Sequence, residues 1–193
     1  MSTKTIEQFF TGKSLEIPPY QRDYAWLTPN IDDLFDDIQE AMDMEGGHYL
    51  GTFILSAGDT KDRFKVVDGQ QRLTTLTILF DALVDALSDG ELKTYYRSTF
   101  LRHPIQGPKF TVLGNNHAFF TALMDDIDPQ PITEGQRRLK EAYEWIRQRI
   151  YTIKSSDGEE SIINWLLNIG KLEVLEFIEP NEGKVRQYEC FSL

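Results

Sequence analysis

Beyond Pro29 and Asn30, the apolar residues Ile31, Leu34, Phe35, Ile38 and Met42 recur at helical spacing, with Asp32, Asp33, Asp36, Asp37, Glu40 and Asp43 filling the positions between them. This spacing predicts an amphipathic helix with an acidic face, ended by Gly46-Gly47. The run Tyr49 to Ser56 is rich in β-formers, and a polar turn at Gly58-Asp59-Thr60 separates it from a short run, Arg63 to Val67, so the two read as a β-hairpin. Immediately after Asp68-Gly69, Leu73, Leu76, Phe80, Leu83 and Leu87 recur every three or four residues up to Ser88-Asp89-Gly90. That is the clearest helical signal in the chain.

The flanking segments carry weaker patterns. Ser14 to Arg22 contains Pro18 and Pro19, which exclude a helix interior, so it is expected to be an edge strand or an ordered loop. Asn115 is placed to cap a short helix through Met124, and Thr133 with Gln136 forms a capping-box pattern ahead of Leu139, Ala142, Tyr143, Ile146 and Ile150. A further helix is expected after Asp157 and a strand over Leu172 to Ile178, before a turn at Pro180-Asn181-Glu182-Gly183. The strands and densest turn chemistry fall early, and most of the helical pattern falls late. The expected class is therefore α+β, with a compact core over 1–90 and a mainly helical extension packed on it over 91–193. The closing residues, Tyr188 to Leu193, show no helix cap or polar tail, which fits a piece of a longer protein.

Composition narrows the function classes. No run approaches the roughly 18 apolar residues that span a bilayer, and the first ten residues lack a basic start with an apolar run, so a cytoplasmic protein is expected. Cys190 is the single cysteine, which leaves no internal disulfide or multi-cysteine metal site. His48, His103 and His117 are scattered away from ligand spacing, and no Walker-type glycine-lysine motif occurs. A net charge of −11 opposes non-specific binding to nucleic acid, although the 20 lysines and arginines leave enough cations for a local anion pocket.

The chemistry concentrates where the second strand of the hairpin runs through Asp68-Gly69 into the helix. A helix start exposes unpaired backbone N–H groups at the positive end of its dipole, which suits a phosphate, and Gly69 lets the backbone come close. Arg72 lies in the first turn, Gln70 and Gln71 add amide donors, and Thr74 and Thr75 add hydroxyls. Asp68 is suited to cap the helix, to orient Arg72 or to hold a divalent cation. A second cluster, Tyr20-Gln21-Arg22 with Tyr24 and Trp26 behind it, offers further donors and aromatic faces for a base. Its bland alternative is that the aromatics cover the core while Arg22 pairs with the acidic helix.

Three blocks, Ile17-Pro18-Pro19-Tyr20-Gln21-Arg22-Asp23-Tyr24-Ala25-Trp26, Tyr49-Leu50-Gly51-Thr52 and Val66-Val67-Asp68-Gly69-Gln70-Gln71-Arg72-Leu73-Thr74-Thr75-Leu76, resemble in order and spacing the signatures of the GmrS-type N-terminal domain of modification-dependent restriction proteins. That family is similar in turn to ParB and sulfiredoxin. The resemblance implies a small mixed sheet with a strand-turn-helix phosphate site and an NTP-binding, NTP-hydrolysing domain of a phage-defence system. It implies Asp68, Gln70, Gln71 and Arg72 as the hydrolytic residues, and Tyr20, Gln21, Arg22, Gly51, Gly69, Thr74 and Thr75 as nucleotide-binding residues. It further implies Mg²⁺ brought with the NTP and held at Asp68. The expected partners are a C-terminal nuclease domain or partner subunit and, in the complete system only, modified DNA, with room for a homo-oligomer. A nucleotide switch without turnover and a DNA-contacting or nicking module are the alternatives. Relatives carry their nuclease in a His-containing C-terminal domain, so nuclease activity is not carried over to this chain.

Overall fold

A computed structural model describes residues 1–43, 49–112 and 114–179. Its centre is a mixed six-stranded sheet in the order β1-β8-β3-β4-β2-β7. The strands are β1 (Ser2–Thr5), β2 (Ser14–Ile17), β3 (Tyr49–Ala57), β4 (Arg63–Asp68), β7 (Phe110–Val112) and β8 (Glu173–Glu179), with β5 (Arg102–His103) and β6 (Gly107–Pro108) forming a separate small ribbon. The helices are α1 (Ile6–Phe10), α2 (Thr28–Asp43), α3 (Gln70–Ala86), α4 (Gly90–Tyr96), α5 (His117–Met124) and α6 (Glu134–Lys171), and a π-helical turn, Arg97–Leu101, continues α4.

The hairpin forms as its pattern predicts, with β3 antiparallel to β4. The acidic helix and the helix after Gly69 also form. Three features differ from the sequence reading. β2 is not an edge strand: it pairs in parallel with β4 on one side and β7 on the other, because its paired residues end at Ile17, before Pro18 and Pro19 withdraw their N–H groups. The helix expected after Asp157 does form, as the second arm of α6, set off from the first by Gly158, whose φ of 80° interrupts the helical backbone. Thr133 caps α6 by accepting from Gln136 N, but the Gln136 carbonyl accepts from Ile132 N, one residue short of a closed capping box. The short helix before Met124 starts after Asn116, without a side-chain cap. Gly46-Gly47, the turn at 180–183 and Cys190 lie outside the described residues.

The late strand expected over 172–178 enters the sheet itself. β8 runs parallel to β3 and antiparallel to β1, so one sheet draws strands from both sides of residue 90. On β3, β4 and β8 the side chains of Phe53, Leu55, Val66 and Val174 are buried, and this face receives the helices. Phe9 of α1 packs on Phe53 with ring centroids 4.9 Å apart, and Phe80 of α3 stacks on Phe100 at 4.0 Å. Glu176 is buried in the middle of β8 and is held by Lys4 of β1 and by Lys13, just ahead of β2. Losing either lysine would leave a buried carboxylate short of a partner. The longest helix, α6, packs along α3 and also touches α1, α2 and α5.

Candidate functional site

The segment between β2 and α2 is pinned down by side chains from the strand–helix turn. Pro18 accepts from Gln21 N at 3.1 Å, which closes a turn and leaves Tyr20 exposed at its tip. The Gln21 amide donates to Val67 O at 3.0 Å on β4. Gln70 donates to Arg22 O at 3.2 Å, and Gln71 donates to Asp23 O at 3.2 Å while its carbonyl accepts from Ala25 N at 2.7 Å and Trp26 N at 3.3 Å. Tyr24 is buried and shares a 2.8 Å hydrogen bond with Thr75, and burial pushes its phenol up to about 12 despite that bond. From the far side, Asn116 donates to Asp23 and Arg138 donates to Ala25 O. Residues 21–26 are thus tied to β4, α3, α6 and the Asn116 turn, although they form no regular element of their own.

An open cleft of about 620 Å³ remains between this segment and the start of α3, lined by Gln21, Arg22, Trp26, Thr52 and the run Val67 to Arg72. Gly69 is the N-cap, with φ 92°, and no side chain caps the helix, so Asp68 does not take up the capping role open to it. Gly69 is required twice over: its φ disfavours other residues, and a Cβ there would come within 2.5 Å of the Phe53 ring. Gly51 (φ 134°) has a different neighbour. A Cβ on it would lie 2.3 Å from an Arg72 guanidinium nitrogen, so the bare backbone of β3 is what lets Arg72 lie across it. Among the described residues, neither Arg22 nor Arg72 forms an ion pair, and Arg22 does not reach the acidic helix. Asp68, exposed at the end of β4, is likewise without a cationic partner among them.

Residues 6–191 match the GmrSD restriction endonuclease N-terminal domain. The chain belongs to that family. Membership assigns it to a restriction system and accounts for the three sequence blocks that meet around the cleft. No curated protein is similar enough to count as a relative.

Of the residues singled out in this GmrSD domain, the cleft brings together Gln21, Arg22, Asp68, Gly69, Gln70, Gln71 and Arg72. Tyr20 points out to solvent, Gly51 acts by making room for Arg72, and Thr74 and Thr75 lie deeper on α3, their hydroxyls donating to Gln70 O and Gln71 O. Thr52 lines the cleft and carried no binding assignment from the sequence, whereas Trp26, which also lines it, was offered there as an aromatic face for a base. The aromatic spacing of Tyr24 and Trp26 was the available signal, and it could not tell the buried ring from the one at the cleft. Among the described residues no cluster of three metal-ligating side chains occurs, and no helix is long and apolar enough to cross a membrane.

Proposed function

We propose that the cleft binds the phosphates of a nucleoside triphosphate and hydrolyses its terminal phosphoanhydride, and that the domain thereby acts as the nucleotide-driven regulatory part of a cytoplasmic phage-defence system. The observation that carries this reading is that one cleft at an uncapped helix start is lined by both Arg22 and Arg72, neither with an acidic partner among the described residues. In a chain of net charge −11, two cations left without an ion pair in one cleft, against the single carboxylate of Asp68, favour an anion there. The strand-turn-helix then serves as the phosphate-binding element expected of a ParB- or sulfiredoxin-like fold.

Arg72 and Arg22 bind phosphate oxygens from the two walls, and the free N–H groups of the first α3 turn add donors. Asp68 fits Mg²⁺ that arrives with the nucleotide rather than a resident ion, since one exposed carboxylate supplies a single ligand and Mg²⁺ takes the rest from phosphates and water. Bound there, the ion would neutralise charge developing on the phosphates. Asp68 also stands where it can orient the attacking water. Gln71 has both amide atoms engaged and acts through the segment it fastens, whereas the Gln70 carbonyl oxygen is buried without a hydrogen bond among the described residues.

That engagement of Gln71 favours a second reading, a nucleotide-dependent switch without turnover, because it removes one side chain from the task of positioning water. A C-terminal nuclease domain or partner subunit would receive the signal in either case, with modified DNA engaged only by the complete system. The purified chain with Mg²⁺ and each of the four NTPs separates the two: phosphate release supports hydrolysis, saturable binding without release supports the switch, and absence of both eliminates the cleft assignment.

A further inference from the structure

The face of α3 that carries Gln70, Thr74, Thr77 and Asp81 is a stripe of buried polar residues, and beyond it Gln71 and Thr75 are the other buried polar residues of the helix. Polar groups buried in this way need partners. Thr74 and Thr77 find theirs in the carbonyls four residues back, at 2.8 and 2.9 Å. Asp81 does not. It is 4% exposed, its nearest cation is Arg147 at 3.6 Å, and no hydrogen bond joins its carboxyl to any described residue. Arg147 and Arg97 instead bond Asp85, one turn on.

Asp81 and Thr77 form part of the wall of a cavity of about 100 Å³ whose other walls include Leu101, Phe110, Phe120 and Met124. A single water needs only about 10–15 Å³ on such a measure, so the space holds several waters or one small ring system. Gln70, at the cleft, lies about 16 Å away along the helix axis at about 1.5 Å per residue, and the cavity shares no lining residue with the cleft.

We infer that this cavity is a second ligand site, separate from the cleft, which takes a planar heterocycle presenting two adjacent N–H donors to the Asp81 carboxylate, the edge that guanine offers. Neither Asp81 oxygen accepts a hydrogen bond among the described residues, although one is 3.6 Å from Arg147, so the carboxyl asks for two donors, and aromatic and aliphatic walls ask for a flat apolar body. Guanidinium groups present the same donor pair. Arg97, Arg102 and Asp125 share the cavity wall, and Arg97 and Arg147 are already paired with Asp85, so the wall charges nearly balance and give a cation no advantage over the neutral base. His117 of α5, also in the wall, donates from Nδ1 to Val112 O at 3.0 Å, which fixes its ring against β7.

The test is titration calorimetry of the purified chain with GMP, IMP, AMP and agmatine. GMP is expected to bind, with IMP, which lacks the 2-amino group, and AMP each tenfold or more weaker. Asp81→Asn should weaken GMP by at least tenfold, while an excess of tripolyphosphate, which carries no base and competes only for the cleft, should leave that GMP binding in place. GMP and IMP binding alike, agmatine binding more tightly than GMP, or no GMP binding at millimolar concentration would each overturn the assignment, the last leaving a water-filled cavity. The GMP and IMP comparison uses the unaltered chain, so it decides even if Asp81→Asn folds poorly. Failure of the NTP reading would appear as lost phosphate release and leave these titrations untouched.

Discussion

The two ends of α3 handle polar groups in opposite ways. At its start, Arg72 lies half-buried across β3 in the wall of an open cleft that Arg22 also lines, and the glutamines next to it turn inward and spend their amides on the backbone of residues 22–26. Three turns further on, Asp81 lines a narrower, partly open cavity with a cation near it but no donor bonded to it among the described residues. The first arrangement exposes positive charge to solvent at little cost. The second buries negative charge, and burial, reinforced by Asp85 and opposed by Arg147, pushes the Asp81 carboxyl up to about 7. A motif read along the chain thus mixes residues that hold the site together with residues free to meet a ligand, and only side-chain direction separates them.

The largest effect should come from the inward-facing residue. Gln71→Leu removes three hydrogen bonds and leaves the Ala25 and Trp26 N–H groups without their acceptor. We expect a loss on the order of 3 kcal/mol, since one unsatisfied buried group costs about 1–3 kcal/mol. Chemical denaturation measures it, and a stability equal to the parent's would mean that the segment is held by other contacts. Nucleotide affinity should fall with it, because Arg22 rides on the same segment.

Arg72→Ala should show the converse pattern. A charge-assisted contact is worth about 1.5–3 kcal/mol, so nucleotide affinity should drop at least about tenfold while the melting temperature stays close to the parent's. Arg22→Ala should weaken binding similarly, and the double variant should lose less than the sum because both side chains share one ligand. Strict additivity would argue against a common polyphosphate. A large fall in melting temperature for Arg72→Ala would make that residue structural.

A smaller effect is expected from Asp81→Asn, read through pH. The folded carboxyl titrates near 7 and the unfolded one near 3.8, so the folded state holds a proton that the unfolded state has lost between those values. The stability linked to this group is fully present below about pH 4 and is lost as pH rises to about 7. Removing the titration should leave the variant level with the parent at low pH and more stable above pH 7, by on the order of 1–2 kcal/mol and no more than about 4 kcal/mol. Urea unfolding at pH 4.5 and pH 8 checks it, with Asp85, Asp126, Arg97 and Arg147 common to both proteins. Parallel pH profiles would refute the link.

The smallest expected signal is with DNA. The isolated chain, at net charge −11, should bind unmodified duplex weakly and only at low salt. Tight binding in a gel-shift assay at physiological ionic strength would turn the cleft from a nucleotide site into a backbone-phosphate site.

Local pattern made α2, α3 and the β3–β4 hairpin legible in the sequence, because each is specified by residues close together in the chain. The interior place of β2 was not legible. Its partners, β4 and β7, lie far along the chain, and nearby prolines suggested an edge. At the cleft, the meeting of the Tyr20–Trp26 and Asp68–Arg72 blocks was anticipated, but the inward turn of Gln70 and Gln71 depends on a segment that has no periodicity to read. Asp81 gave no signal, since an aspartate on an amphipathic helix ordinarily points to water, and it is α6 and the π-helical turn that cover it.

The position of β8 bears on how the chain acquires this shape during synthesis. Between emergence of β3 and completion of β8 more than 110 residues must be made, which at about 5–20 residues per second takes several seconds. Throughout that interval β1 lacks β8, its one sheet neighbour among the described residues, one side of β3 lacks the strand it pairs with, and Lys4 and Lys13 wait for Glu176. Open strand edges of this kind invite pairing with other chains. The ribosome-bound intermediate should therefore depend on holdase chaperones until Glu173 to Glu179 slots in, and folding should run at the slow pace of long-range strand pairing rather than that of the helices around it.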